Sequence, residues 1–177
     1  IGYSEMHPAA YDPIARVADM DRAGILGSLN FPSLPRFCGQ LFYEAQDKEL
    51  ALLCVAAYND WMIDEWCAGD AKGRLIPLTL VPLWDPALAA EEVRRCVAKG
   101  SYAIAFSENP SKLGYPSLYT GAWDVLWDAC QDTETTVSMH IGSSSTMPST
   151  SPDAPLATSM ALSSQNAQGS LCDWFFS

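Results

Sequence analysis

Basic residues are scarce in this chain. Lysine and arginine total 10 against 21 aspartates and glutamates, which gives a formal net charge of −11. An acidic surface repels phosphate backbones and no Lys/Arg cluster offsets it, so nucleic acid is not an expected partner. Charge of either sign is sparse, at 18% of residues, below the usual quarter of a globular chain. That scarcity points to elements buried on more than one side. Long apolar runs are missing too. The longest, residues 50–58 and 75–84, fall well short of the roughly 20 residues a membrane span needs. No basic-then-apolar pattern reads as a signal peptide, and no membrane partner is expected. The six cysteines, at 38, 54, 67, 96, 130 and 172, form no C-x-x-C pair. Most sit in apolar helical patterns, where a thiol acts as a small hydrophobe. Free thiols fit a reducing cytosol, so the expected location is cytoplasmic.

Histidine is rarer still, with His7 and His140 alone. There is no G-x-S-x-G elbow and no P-loop, which leaves a Ser-His-Asp hydrolase or a nucleotide-phosphate site without a signal. No G-x-G-x-x-G follows an apolar run, so a dinucleotide-binding sheet, the rival α/β architecture, lacks its sign.

What is present is alternation. Asp12-Pro13 and Asp85-Pro86 are helix starts, since aspartate caps orphan N–H groups and proline suits the first helical position. The pattern predicts helices over 12–23, 44–68, 85–99, 123–132 and 156 onward, with buried strands over 25–31, 74–82, 102–107 and 136–141. The centre of the second helix is apolar nearly all round, which predicts cover on several sides. Pro77 is awkward inside a strand, so pairing of the second strand is expected to begin after it. Glu91 and Arg95 are spaced to pair at i, i+4. The order αβαβαβαβα implies a parallel sheet with helices outside. Four strands cannot close an eight-stranded barrel, and the apolar run Trp174-Phe175-Phe176 reads as an element still in progress. Residues 1–177 are therefore expected to form one partial barrel domain, truncated at both ends.

In parallel βα folds, chemistry gathers where strands end. Here those positions hold Asn30, Trp84 with Asp85, Ser107 with Glu108, and His140. His140 closes Val137-Ser138-Met139 and can bind a divalent metal there; the alternative is a core histidine hydrogen-bonded to a neighbouring strand. Glu108 could be a ligand, a base or a substrate contact, or simply a solvated loop carboxylate. Arg36 could clamp a substrate carboxylate, or be an exposed arginine. Asn30 is a candidate substrate contact. Ser143-Ser144-Ser145 could offer hydroxyls and backbone N–H groups to an anion, but reads as a plain solvated loop, Asp85 reads as a helix cap, and His7 as a loop residue.

The run from Ala10-Tyr11-Asp12-Pro13 to Gly24-Ile25, Leu75-Ile76-Pro77-Leu78 leading to Trp84-Asp85-Pro86, and Val137-Ser138-Met139-His140-Ile141-Gly142 together resemble the amidohydrolase-related family. That family includes aminocarboxymuconate-semialdehyde decarboxylase. The resemblance implies a (β/α)8 TIM barrel of which this chain carries strands two to five. It also implies a divalent metal, zinc, bound by His140 as the strand-five ligand. The other ligands and the catalytic aspartate would lie outside this chain. The implied activity is metal-dependent hydrolysis or non-oxidative decarboxylation of a small carbonyl or carboxylate substrate, with a homodimer when full length. The proline-tryptophan that follows the decarboxylase's ligand histidine is Ile141-Gly142 here, and no arginine precedes Arg16, so the substrate is expected to differ. The competing expectation is a non-catalytic βα interaction or structural module.

Overall fold

The computed structural model describes residues 2–177. Local capping sets its frame. Asp12 accepts from the backbone N–H groups of Ile14 (2.8 Å) and Ala15 (3.0 Å), and Pro13 opens helix α1 (Pro13–Ala23). Gly24 closes it at φ 69°, a left-handed conformation that costs a residue with a Cβ. Strand β1 (Ser28–Leu29) follows. It is shorter than the expected 25–31 because the carbonyls of Ile25 and Leu26 accept from the Arg74 guanidinium rather than from a neighbouring strand.

The expected helix over 44–68 is broken. A short α2 (Gln40–Glu44) precedes α3 (Lys48–Trp61), which Asp47 caps by accepting from Leu50 N at 2.9 Å, and a π-helical turn continues to Trp66. Nor is α3 covered on several sides. Ala51, Val55 and Asn59 form one buried stripe at i, i+4, i+8, while Leu50 and Leu53 are 57% and 67% exposed.

Pro77 divides the next strand into β2 (Leu75–Ile76) and β3 (Thr79–Leu80). The expectation that pairing starts only after Pro77 is corrected: β2 pairs with β1 before it, and β3 pairs with β4 (Ala103–Phe106) after it. Proline offers no N–H to a ladder, and the strand changes partner across it. β4 then pairs with β5 (Thr136–Met139) over four residues, and every pairing is parallel.

Helix α4 (Pro86–Ala98), started by Asp85, packs beside α5 (Asp124–Asp132) on this sheet. The expected Glu91–Arg95 pair is replaced. Arg95 reaches Glu92 at 2.7 Å and Asp60 of α3 at 2.6 Å, because Glu92 lies on the face turned toward α3. The largest core ring, Trp123, meets Phe106 edge-on at 5.0 Å, and Trp127 and Trp174 stand against the same phenyl. Trp174 belongs to α7 (Ser164–Phe176), which follows α6 (Leu156–Leu162). Phe175 and Phe176 stay exposed. Among the described residues no helix is long and apolar enough to cross a membrane.

Candidate functional site

The segments that follow β1, β4 and β5 come together. His140 follows directly on β5. Its ring lies flat on Phe37, with centroids 3.8 Å apart and planes 8° from parallel, and meets the edge of Phe31 at 5.0 Å. Both phenyls come from the segment after β1, so the two ends of the strand series meet at this imidazole. His140 Nδ1 sits 2.6 Å from the Ile141 carbonyl oxygen. A carbonyl only accepts, so in the neutral ring this contact favours the hydrogen on Nδ1 and the lone pair on Nε2.

Glu108 stands one residue beyond Ser107 at the end of β4. It is 2% exposed, which overturns the reading of a solvated loop carboxylate. One oxygen, Oε1, accepts from Gly142 N (2.9 Å), Ser144 Oγ (2.7 Å), Asn166 Nδ2 (3.2 Å) and Ser144 N (3.4 Å). The other, Oε2, is buried without a partner. An unsatisfied buried acceptor costs on the order of 1–3 kcal/mol, so a carboxylate held this way asks for a reason beyond packing. Ser143 and Ser144 are fully buried as well, against the expectation of a plain solvated loop. Ser143 Oγ accepts from Glu108 N at 2.7 Å. The loop turns inward because Glu108 gathers its donors.

Two residues not singled out from the sequence complete the latch. Cys38 donates its thiol to the Ser143 carbonyl at 3.4 Å. Gln40 donates to the carbonyls of Gly142 (3.3 Å) and Ser143 (3.1 Å) while accepting from Cys38 N. Burial pushes the Cys38 thiol up strongly, and the negative charge of Glu108 adds to it, so this thiol is a packing group rather than a nucleophile. Pro32, Pro35 and Gly39 mark a loop there in the sequence; the hydrogen bonds to the loop after β5 span over a hundred residues and leave no mark on local sequence.

The other candidates lie around this centre. Arg36 is exposed, bonds Glu44 at 2.7 Å, and takes φ 60°. It lines a 330 Å³ pocket with Phe37, Gln40, Gly142 and Ser145, so it shares a cavity with the loop that follows His140. Asn30 accepts from Ser28 Oγ at 2.5 Å and lines a separate open pocket of 750 Å³ walled by Phe31, Tyr58, Trp61 and Trp66. Asp85 is a helix cap, as its Pro86 neighbour suggested. His7 Nδ1 accepts from Ala9 N at 3.3 Å in the turn before α1, as a loop residue would.

A catalytic zinc site usually takes three protein ligands. The Nε2 lone pair of His140 fits one of them. Among the described residues no cluster of three or more His, Cys, Asp or Glu could hold a metal ion.

A family model described as amidohydrolase matches residues 4–167. Among solved structures, an amidohydrolase from Mycobacterium avium subsp. paratuberculosis K-10 is similar at 26% identity and a TM-score of 0.60, over 76% of this chain. The match covers 35% of that protein, so this chain spans about a third of its length. No curated protein matches.

Proposed function

We infer from this chain, which belongs to the amidohydrolase family, that it contributes part of a metal-dependent active site for hydrolysis or non-oxidative decarboxylation of a small carbonyl or carboxylate substrate. The observation that carries this reading is His140. It ends a parallel strand, its Nδ1 hydrogen is engaged by the Ile141 carbonyl, and its Nε2 is left as a free donor atom. A divalent ion, zinc in this reading, would act there as a Lewis acid or lower the pKa of a bound water.

The chain's own residues do the positioning. Phe31 and Phe37 hold the imidazole by edge-on and stacked contacts. Arg36, at the rim of the 330 Å³ pocket, is placed to pair with a substrate carboxylate once it leaves Glu44. Asn30 offers an amide to a substrate in the adjoining pocket. Glu108 holds the loop that follows the ligand strand.

A partial (β/α)8 barrel, strands two to five, is the architecture we propose for residues 1–177. Its support is curvature. Three strand spacings of about 4.8 Å put β1 and β5 roughly 14 Å apart in a flat sheet. Yet rings carried just beyond these two strands meet at 5.0 Å, as they do when a sheet curls inward. The remaining ligands and the proton-handling aspartate then belong to strands outside this chain, and the closed protein is proposed to pair as a homodimer.

Elemental analysis of the full-length protein tests the reading. We expect one divalent ion per chain, and His140→Ala to weaken its binding by more than the roughly 10–100-fold typical of outer-shell changes. Residues 1–177 alone should bind zinc weakly and turn over nothing. Undiminished metal affinity in His140→Ala would remove His140 from the site.

A further inference from the structure

We propose that Glu108 is a positioning residue for His140 and acts through the single peptide group between Ile141 and Gly142. The two hydrogen bonds described above belong to one amide. Its N–H, on Gly142, donates to Glu108 Oε1 at 2.9 Å. Its C=O, on Ile141, accepts from His140 Nδ1 at 2.6 Å. A trans peptide directs these two groups to opposite sides of its plane, so it can join a carboxylate on one strand to an imidazole on the next without the side chains touching.

The amide also carries the electronic effect. A negative charge at the N–H end drives electron density toward the carbonyl oxygen through peptide resonance. That strengthens the oxygen as an acceptor, and chains of such bonds reinforce one another. The result is a hydrogen held on Nδ1, a ring fixed in orientation, and a lone pair kept on Nε2. Metal-binding histidines are commonly served by a carboxylate or carbonyl on their second nitrogen; here both are used in series. The remaining bonds of the carboxylate fit this role. All four donors crowd onto Oε1, and Ser144 and Asn166 brace it from other sides while Oε2 is left alone. Ser143 N also donates to the His140 carbonyl at 3.0 Å, which clamps the backbone from which the ring projects.

The proposal deepens the metal-site reading, since a fixed Nε2 lone pair matters most if Nε2 is a ligand. Its test does not need metal. In the metal-free full chain labelled with 15N-histidine, at a pH where the ring is neutral, His140 should show a protonated Nδ1 and an unprotonated Nε2. His140→Asn assigns the signal against that of the exposed His7. Glu108→Gln keeps the shape but removes the charge, and should shift the His140 tautomer ratio by about threefold toward the Nε2–H form, in line with partial transmission along a hydrogen-bonded chain. Ser149→Ala, whose hydroxyl bonds only the Ser151 carbonyl in the exposed stretch beyond the loop, should leave the ratio unchanged. A wild-type His140 protonated on Nε2 overturns the relay whether or not the variants fold. So does a folded Glu108→Gln with the wild-type ratio. Loss of metal binding with the tautomer intact would instead fall on the metal reading alone.

Discussion

Asn59 makes the most direct test of how the sheet is held. It is fully buried on α3, and its amide grips one peptide position of β3: Oδ1 accepts from Leu80 N at 2.7 Å, and Nδ2 donates to Leu80 O at 2.8 Å. Nδ2 also donates to Glu92 Oε1 at 2.6 Å. The side chain thus stands in for a strand at the edge of β3 that no ladder covers, since Pro77 has sent the preceding residues to β1. In Asn59→Ala, Leu80 loses both partners in a dry environment, while Glu92 keeps Arg95. Two orphaned backbone groups at about 1–3 kcal/mol each, plus a small cavity, predict a loss of about 3–5 kcal/mol. For a chain of this size that corresponds to roughly 10 °C in Tm. Asp60→Ala, at the adjacent residue, removes half-exposed ion pairs to Arg95 and Lys99 and should cost no more than about 1 kcal/mol. Thermal melts by circular dichroism compare the two. If Asn59→Ala melts within about 3 °C of wild type, the Leu80 groups have found other partners, and the claim that Asn59 substitutes for a strand is wrong.

Gly142 takes φ 92°, and a Cβ there would stand 3.3 Å from the Phe37 ring that covers His140. Gly142→Ala should therefore cost about 1–3 kcal/mol and disturb the Phe37–His140 stack; an unchanged melt together with unchanged His140 ring shifts would refute the need for glycine. The buried thiols predict alkaline lability. Burial raises Cys67 and Cys96 from 9.0 to about 12, so the folded state holds protons that the unfolded chain releases, and stability falls as pH rises from about 9 toward 12. Denaturant midpoints measured across that window should drop, with Cys96→Ala flattening the slope, whereas a flat wild-type profile would contradict the burial. At pH 8 the exposed Cys172 should react with a thiol reagent well before Cys38, Cys67 or Cys96; simultaneous reaction would mean the core opens.

Helices α1, α4 and α5 and the ends of the strands were legible in the sequence because their causes are local. Asp12-Pro13 and Asp85-Pro86 cap within three residues of themselves, Gly24 stops a helix at one dihedral angle, and His140 ends an apolar strand pattern whoever its neighbours are. Strand partners were less legible. Pro77 was read as a barrier to pairing, yet a strand that meets two different neighbours needs only to change sides there, and that depends on where β1 and β4 lie. Glu108, Ser143 and Ser144 were misread for the same kind of reason. Their composition is that of a solvated loop, and only the approach of β4 to β5 and the arrival of Asn166 from a distant helix turn them into a buried, hydrogen-bonded knot. Arg95 likewise took Glu92 and Asp60 instead of Glu91, since helix spacing allows several partners and packing against α3 selects among them. Sequence fixes what a residue offers within about one helical turn or one strand. Which of those offers is taken up across 34 residues from Glu108 to Gly142, or 103 from Gln40 to Ser143, is decided by the free energy of burying polar groups in pairs, and that exists only once the chain has folded.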